Sequence, residues 1–237
     1  MEPFLPVVDD AVFELRPDFR LLSLSASGVG WHSDRRPELA RYVEEAERSA
    51  TLDDPGRAAH LAAWEGAYRA FGAKPKRTPC SAAALLRRVR RDGSLPRINA
   101  VVDAYNAVSV RHGLPIGGEN RDAYQGRPRL LRAVGSERFD TVRNGEAAVE
   151  LPTPGEVVWC DQIGVTCRRW NWRQGRRTRV AEGTPNVWFV LEVLDPMPAG
   201  QAHRAVDDLA ALLRSFDAST RLDVHEISRE GVVDRSR

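Results

Sequence analysis

The chain has 237 residues, 42% of them hydrophobic and 29% charged, the balance of a globular protein long enough to bury a core. No run approaches the roughly 18–20 apolar residues of a membrane-crossing helix, and the opening MEPFLPVVDD lacks the basic start and apolar centre of a secretory signal. A cytoplasmic protein with no membrane association is expected.

Net charge is only +2, yet all but two of the 35 basic residues are arginine, the exceptions being Lys74 and Lys76. Six arginines fall between positions 168 and 179. Arginine takes to phosphate forks and aromatic faces where lysine does not. The three cysteines, Cys80, Cys160 and Cys167, make no even disulfide set and no CxxC pair, so buried thiols are expected. The five histidines (His32, His60, His112, His203 and His225) are scattered without HExxH or HxH spacing, and no metal site is expected.

In chain order, residues 12–30 carry a short strand signal, with LLSLSASGVG holding Leu22, Leu24 and Val29 before a glycine break. A helix follows, with Leu39, Tyr42, Val43 and Ala46 at helical spacing. Asp53-Asp54-Pro55 reads as a turn into another helix, whose Leu61, Trp64, Tyr68 and Phe71 form an aromatic core stripe ended by Gly72. Lys74-Pro75-Lys76-Arg77 is a basic loop. Ser81 is expected to cap a helix over 82–91, with Leu85, Leu86 and Val89 inward and Arg87, Arg88, Arg90 and Arg91 outward. That outer face is either simply solvated or in contact with phosphate.

The spacing predicts a helix over 99–111 with an apolar stripe of Val101, Val102, Tyr105 and Val108. Asn99, Asp103 and Asn106 line up on another part of its surface, either as a solvated ridge or as polar groups bordering a pocket. The loop LPIGGENRD follows, its adjacent Gly117 and Gly118 permitting a tight turn or close approach of a ligand. Strands are predicted over 129–134, 156–160, 164–170 and 186–194, the last so apolar (NVWFVLEVL) that it should be central and buried on both faces. Pro196 and Pro198 with Ala199-Gly200 make a hinge, followed by an amphipathic helix bearing Val206, Leu209, Leu213 and Phe216 and by a short strand over 221–227. Helices first and strands later give an α+β arrangement with one mixed sheet system, residues 1–195, and a C-terminal helix–strand extension, residues 196–237, read either as an appendage to the core or as packing on the sheet edge.

Common catalytic templates are missing: no GxSxG elbow, no GxxxxGK[ST] loop and no GxGxxG after a strand. A Ser109–His112–Asp103 set on one helix would not place a nucleophile against its base. The segment from Cys167 to Arg177 (CRRWNWRQGRR) stands out. Arginine binds phosphate bidentately, and tryptophan and arginine planes stack on unpaired bases, so the segment reads as a nucleic-acid contact. The competing reading is a strand with tryptophans inward and arginines outward.

Residues Leu95-Pro96-Arg97-Ile98-Asn99, Val101-Val102-Asp103-Ala104-Tyr105-Asn106 and Leu114-Pro115 resemble the "IN-x-VVD-x-x-N … G-x-P" stretch of the B3/B4 domain of the phenylalanyl-tRNA synthetase β-subunit. The likeness continues through an N-G-E turn at Asn144-Gly145-Glu146, a strand at 156–161, a glycine-started strand at Gly164 and a threonine–asparagine approach to a last core strand at 184–192. It covers roughly residues 10–195. The GAKPKR loop, the SAAALLRR helix, PIGGE and RWNWRQ resemble the freestanding members of the group more than the synthetase subunit.

The resemblance implies a B3/B4-like layered fold and hydrolysis of a wrongly attached amino acid from the 3′ end of tRNA, performed in trans. One freestanding group clears the arginine analogue canavanine from its tRNA. An aminoacyl ester is activated enough that positioned water and backbone N–H groups facing the oxyanion suffice, without a cofactor.

Carried across by position, Asn106 matches the asparagine that projects into the synthetase editing pocket. Gly117 stands where the synthetase has a histidine, and Gly117 and Gly118 are then candidate N–H donors. Asp103, Glu119 and Asp161 become candidate partners for a cationic amino-acid moiety. Lys74, Lys76, Arg77, Arg169, Trp170, Asn171, Trp172, Arg173, Gln174 and Arg176 become candidates for holding the substrate and the acceptor end of tRNA. The leading expectation is a freestanding aminoacyl-tRNA deacylase. The alternatives are a non-catalytic RNA-binding module and a small-molecule ester hydrolase or metabolite binder.

Overall fold

The structure, a computed structural model, describes residues 4–31 and 37–236, so His32 and the first three residues of the acidic N-terminus lie outside the described residues. In chain order the elements are β1 (Val7–Val8), α1 (Asp10–Leu15), β2 (Arg20–Ser27), α2 (Pro37–Ala50), α3 (Pro55–Ala70), α4 (Ser81–Asp92), α5 (Ala100–His112) and β3 (Ile116–Asn120). After a 3-10 turn come β4 (Arg129–Arg132), β5 (Phe139–Arg143), β6 (Glu146–Glu150), β7 (Val157–Cys160), β8 (Val165–Arg168), β9 (Arg173–Gln174) and β10 (Asn186–Val193). The chain closes with α6 (Ala199–Phe216), β11 (Arg221–Ser228) and β12 (Gly231–Asp234).

Local chemistry sets the helix ends. The Asp54 carboxylate accepts the Arg57 N–H at 2.9 Å and Pro55 opens α3, so the Asp-Asp-Pro turn works as an N-cap. Asn99 caps α5 by accepting the Val102 N–H at 2.9 Å, and Gly113 ends it at φ 69°. Ser81 is not the cap expected of it: it is the first residue of α4, and Cys80 holds the cap position without a side-chain cap bond.

Alternation in β2 and β10 decides the layering. These strands pair antiparallel over eight residues, at the centre of a five-stranded sheet ordered β12-β11-β2-β10-β3. Leu22, Leu24, Ala26, Val187, Phe189, Leu191 and Val193 join one core with α2, α5 and α6. Leu21, Trp188, Val190 and Leu194 join a second, aromatic core against the other sheet and α3, with Phe19, Trp64, Tyr68, Trp159 and Trp170. Trp170 sits edge-on to Trp64 at 5.2 Å and 87°, and Trp159 to Trp188 at 5.2 Å and 83°. The second sheet has seven strands, β1-β4-β7-β8-β5-β6 with β9 on β8.

Three expectations are corrected. The strand signal over 12–30 holds only from Arg20, since the first part of that span, as far as Leu15, belongs to the helix α1. The described residues form two sheets rather than one mixed system. PIGGEN is not a loop: β3 pairs with β10 from Ile116 to Asn120, because a long apolar neighbour recruits even a glycine pair of low strand propensity. Of the two readings of the segment after Pro196, the structure shows the sheet edge rather than an appendage. β11 pairs with β2 over seven positions and α6 places Val206, Leu209 and Leu213 in the first core. Among the described residues no helix is long and apolar enough to cross a membrane.

Candidate functional site

Where β3 and β10 approach β7, β8, the first turns of α4 and the second turn of α5, a cavity of about 250 Å³ opens. Its walls include Ser81, Tyr105, Asn106, Gly117, Gly118, Glu119, Trp159, Cys167, Asn171, Trp172, Arg173, Gln174 and Glu192. Strand alternation explains the polar wall. Gly117 is paired with Val190 and Glu119 with Trp188, so these two β3 residues share the face that β10 turns toward the aromatic core. A Cβ on Gly117 would meet nothing within 4 Å, whereas one on Gly118 would lie 2.7 Å from the Tyr105 ring. Gly117 leaves the cavity open, and Gly118 lets α5 pack against the strand.

Two carboxyl groups are buried here. The Glu119 carboxylate accepts the Tyr124 hydroxyl at 2.5 Å. The Glu192 carboxylate accepts the Trp159 indole N–H at 2.9 Å and the Asn171 amide at 2.8 Å, and Asn171 accepts the Tyr68 hydroxyl at 2.8 Å. Burial pushes the Glu119 pKa up to about 7 against the pull of its hydrogen bonds and of Arg177. Burial also takes Glu192 to about 7, against the N–H donors of Trp159 and Asn171 and with the repulsion of Glu119 added.

Both groups bind protons more tightly folded than unfolded, so stability should fall as pH rises from about 4.5 through about 7. Buried His60, whose pKa burial lowers, acts the other way, so the informative quantity is a difference between variants. Melting temperatures between pH 5 and 8 should decline less steeply for Glu192→Gln than for wild type. Parallel curves would mean that Glu192 carries no such shift.

The other polar walls differ in freedom. Asn106 is buried on α5, and none of the hydrogen bonds among the described residues takes up its carboxamide. The Ser81 hydroxyl oxygen is buried at the start of α4, in the cavity wall, with no hydrogen-bond partner among the described residues. Gln174 is already engaged, donating to the Gly118 carbonyl at 2.9 Å and the Thr178 carbonyl at 3.2 Å, and so pins β3 in place. Arg173 donates to the Val142 carbonyl at 2.8 Å and lies 3.5 Å from Glu150.

Of the residues singled out from sequence, Asn106, Gly117, Gly118, Glu119, Trp170, Asn171, Trp172, Arg173 and Gln174 are brought to this cavity. Asp103 is not: it accepts the Ile98 N–H at 2.9 Å ahead of α5. Asp161 is not either. Burial opposes its charge, but Arg177 at 2.7 Å and the N–H groups of Gln125, Ile163 and Gly164 hold its pKa below the usual range. Neither residue lines the cavity.

Trp170 is wholly buried in the aromatic core, which corrects its expected role as an exposed platform for a base. Only Trp172 of the pair is partly exposed, with the Arg169 guanidinium 4.3 Å from its ring centre. Arg176 sits 3.6 Å from Asp140 outside the cavity, Lys76 is exposed, and Lys74, Arg77 and Arg169 line a separate groove. The Ser109–His112–Asp103 arrangement is absent, since Ser109 donates to the Leu114 carbonyl and His112 pairs with Asp208.

Sequence reasoning missed Glu192, Trp159, Ser81, Tyr105 and Cys167 as wall residues. Glu192 alone left a signal, as the single carboxylate in the apolar run NVWFVLEVL. All three cysteines are free and buried, as expected. Asp223, His225 and Asp234 bring metal-type ligand atoms within 4.8 Å of one another on the β11–β12 hairpin, away from the cavity.

The B3/4 domain family model matches residues 63–216, more than half of the chain and every cavity-lining residue. The chain belongs to the B3/4 domain family. Among solved structures, this B3/4 protein is similar to an N-terminal fragment of the phenylalanyl-tRNA synthetase β-subunit from Pyrococcus horikoshii, at 11% identity and a TM-score of 0.47. That match covers 100% of this chain and 57% of the other, so the B3/4 protein spans little more than half the length of the chain it matches. No curated protein matches it.

Proposed function

We propose that this B3/4 protein hydrolyses the ester bond of a mischarged aminoacyl-tRNA in trans, with the cavity as the seat of the aminoacyl group. The observation that carries the reading is the cavity wall itself: an unengaged carboxamide at Asn106, a side-chain-free strand position at Gly117, and two carboxyls, Glu119 and Glu192, poised near neutrality. The sequence resemblance to the synthetase editing domain supports the same reaction class.

An activated ester needs little from the protein. Asn106 orients the attacking water or the ester carbonyl, and the Ser81 hydroxyl is placed to take a further hydrogen bond from the substrate. Backbone N–H groups of β3 not committed to β10 would face the oxyanion. The aminoacyl side chain lies toward Glu119 and Glu192. A carboxyl near pH 7 in a dry wall accepts a cationic or hydrogen-bonding side chain better than an apolar one, which keeps an arginine analogue such as canavanine among the candidate substrates. The protein is proposed to work on tRNA in the cytoplasm.

The test is release of amino acid from a panel of correctly and incorrectly charged tRNAs, beginning with arginine-type and aromatic mischarges. Turnover of one mischarged species with the correct pair spared establishes editing. Binding of tRNA without turnover of any species would favour an RNA-binding module, and hydrolysis of free amino-acid esters without tRNA dependence a small-molecule hydrolase. Asn106→Ala should lower deacylation at least about tenfold, the scale of one transition-state hydrogen bond, with tRNA affinity little changed. Unaltered turnover would remove Asn106 from the reaction.

A further inference from the structure

The β11–β12 hairpin, which lies beyond the B3/4 stretch and away from the cavity, gathers a second set of polar groups. Strand periodicity puts Asp223 and His225 on one face of β11, and the antiparallel register sets Asp234 of β12 directly opposite His225. A carboxylate oxygen from each aspartate and an imidazole nitrogen all lie within 4.8 Å of one another. The set spans two strands, which is why histidine spacing along the chain gave no expectation of it.

His225 is the member without a partner. Its side chain is only 10% exposed, yet its ring makes no hydrogen bond among the described residues, and Nδ1 stands 3.7 Å from Asp223 Oδ2, beyond hydrogen-bonding reach. A buried polar group ordinarily has its bonding capacity met. The two carboxylates are aligned from outside by Ser236, whose hydroxyl donates to Asp223 at 2.7 Å and whose backbone N–H donates to Asp234 at 2.8 Å. The chain is rich in arginine, but none pairs with either aspartate among the described residues. Arg235, next to Asp234, turns to Glu226 instead at 3.0 Å.

We propose that Asp223, His225 and Asp234 bind a zinc ion that fastens β12 to β11. One imidazole with two carboxylates is a zinc-type donor set, and the nitrogen makes it a poor site for magnesium or calcium, which take oxygen ligands. Three protein ligands leave a fourth position for water. Donor atoms around a tetrahedral zinc stand about 3.3–3.6 Å apart, so the set must close by about an ångström. Asp223, 42% exposed, and the exposed Asp234 have room to make that rotation. All four residues of β12 are exposed, so little apolar burial holds this outer strand, and a metal link supplies what burial does not. Nothing in this depends on the deacylase reading.

The test is calorimetric titration of the chelator-treated full chain with zinc chloride, with cobalt(II) absorption as a second probe. Wild type should take up a single zinc per chain at micromolar affinity or tighter, and millimolar magnesium should not displace it. The cobalt spectrum should lack the thiolate charge-transfer band that any of the three buried cysteines would give. Asp223→Asn/Asp234→Asn keeps the shape of both side chains and should fold as wild type does in chelator. Zinc should bind it at least about a hundredfold more weakly, and Ser236→Ala about tenfold more weakly, the scale for a residue that orients metal ligands. His203→Gln, which removes the histidine paired with Glu226 at 3.0 Å, should bind zinc as before. Zinc at about a hundred times its Kd should slow amide exchange in β12 at least about tenfold.

The zinc site is ruled out by no uptake in wild type, by equal affinity in the asparagine variant, by loss of binding in His203→Gln, by a thiolate band from cobalt or by displacement with magnesium. Exchange in β12 that zinc leaves unchanged would overturn the fastening of the strand.

Discussion

Gly117→Val should abolish deacylation, by about a hundredfold or more, while leaving the fold as stable as before. The backbone there is extended and a Cβ meets no atom within 4 Å, so a branched side chain suits the strand and grows into open space. That space is the cavity of about 250 Å³, and a side chain in it would displace the ester proposed to lie against Asn106. Misplacement by an ångström already costs on the order of a hundredfold.

The neighbouring Gly118→Val should do the reverse. Its Cβ would stand 2.7 Å from the Tyr105 ring and 3.3 Å from Phe189, so it should destabilise the protein by about 1–3 kcal/mol. Steady-state kinetics and thermal melts of the two variants separate the effects. Full activity in Gly117→Val would show that the cavity does not hold the substrate.

The largest effect on stability is expected from Arg168→Ala. The Arg168 guanidinium donates to Glu156 twice and to Glu150 at 2.9 Å, with 8% of its own side chain and 4% of the Glu156 side chain exposed. Removing the cation leaves a buried carboxylate unpaired, at a cost of about 3–5 kcal/mol. At about 2–4 °C per kcal/mol for a chain of this size, the melting temperature should drop by about 6–20 °C. Arg168→Met/Glu156→Leu, which removes both charges, should recover much of that loss. A melting curve unchanged by Arg168→Ala would mean the pair contributes nothing. In the basic segment, then, Arg168 braces the turn that presents Arg169 and Trp172, while Arg169 is the cation turned to the groove.

Much of the scaffold was legible from residue pattern. Continuous apolarity marked β10 as central, helical spacing marked α2, α3, α5 and α6, and Asp54-Pro55 and Asn99 marked helix starts. These signals are local: each depends on periodicities of two or 3.6 residues or on a cap within one turn. The pieces that escaped depend on partners far along the chain. β3 is a strand because β10 lies beside it. The hairpin of β5 and β6 closes on Asn144-Gly145, both at positive φ, a turn that sequence showed without showing that strands flanked it.

The site divides along the same line. The sequence by itself determined which chemistry was available: an asparagine on a core helix, a glycine pair after it, and a run of arginines and tryptophans. Only the tertiary structure decided which of these meet. It turned Trp170 into the core and left Trp172 at the cavity, tied Asp161 to Arg177 and Asp103 to a backbone N–H, and drew Glu192 from an apolar strand into the wall. The physical reason is that a polar side chain's role is set by whether its hydrogen-bonding capacity is already met when it is buried. That depends on which donors and acceptors the fold brings within reach, from the Ile98 N–H five residues from Asp103 to the Tyr68 hydroxyl 103 residues from Asn171.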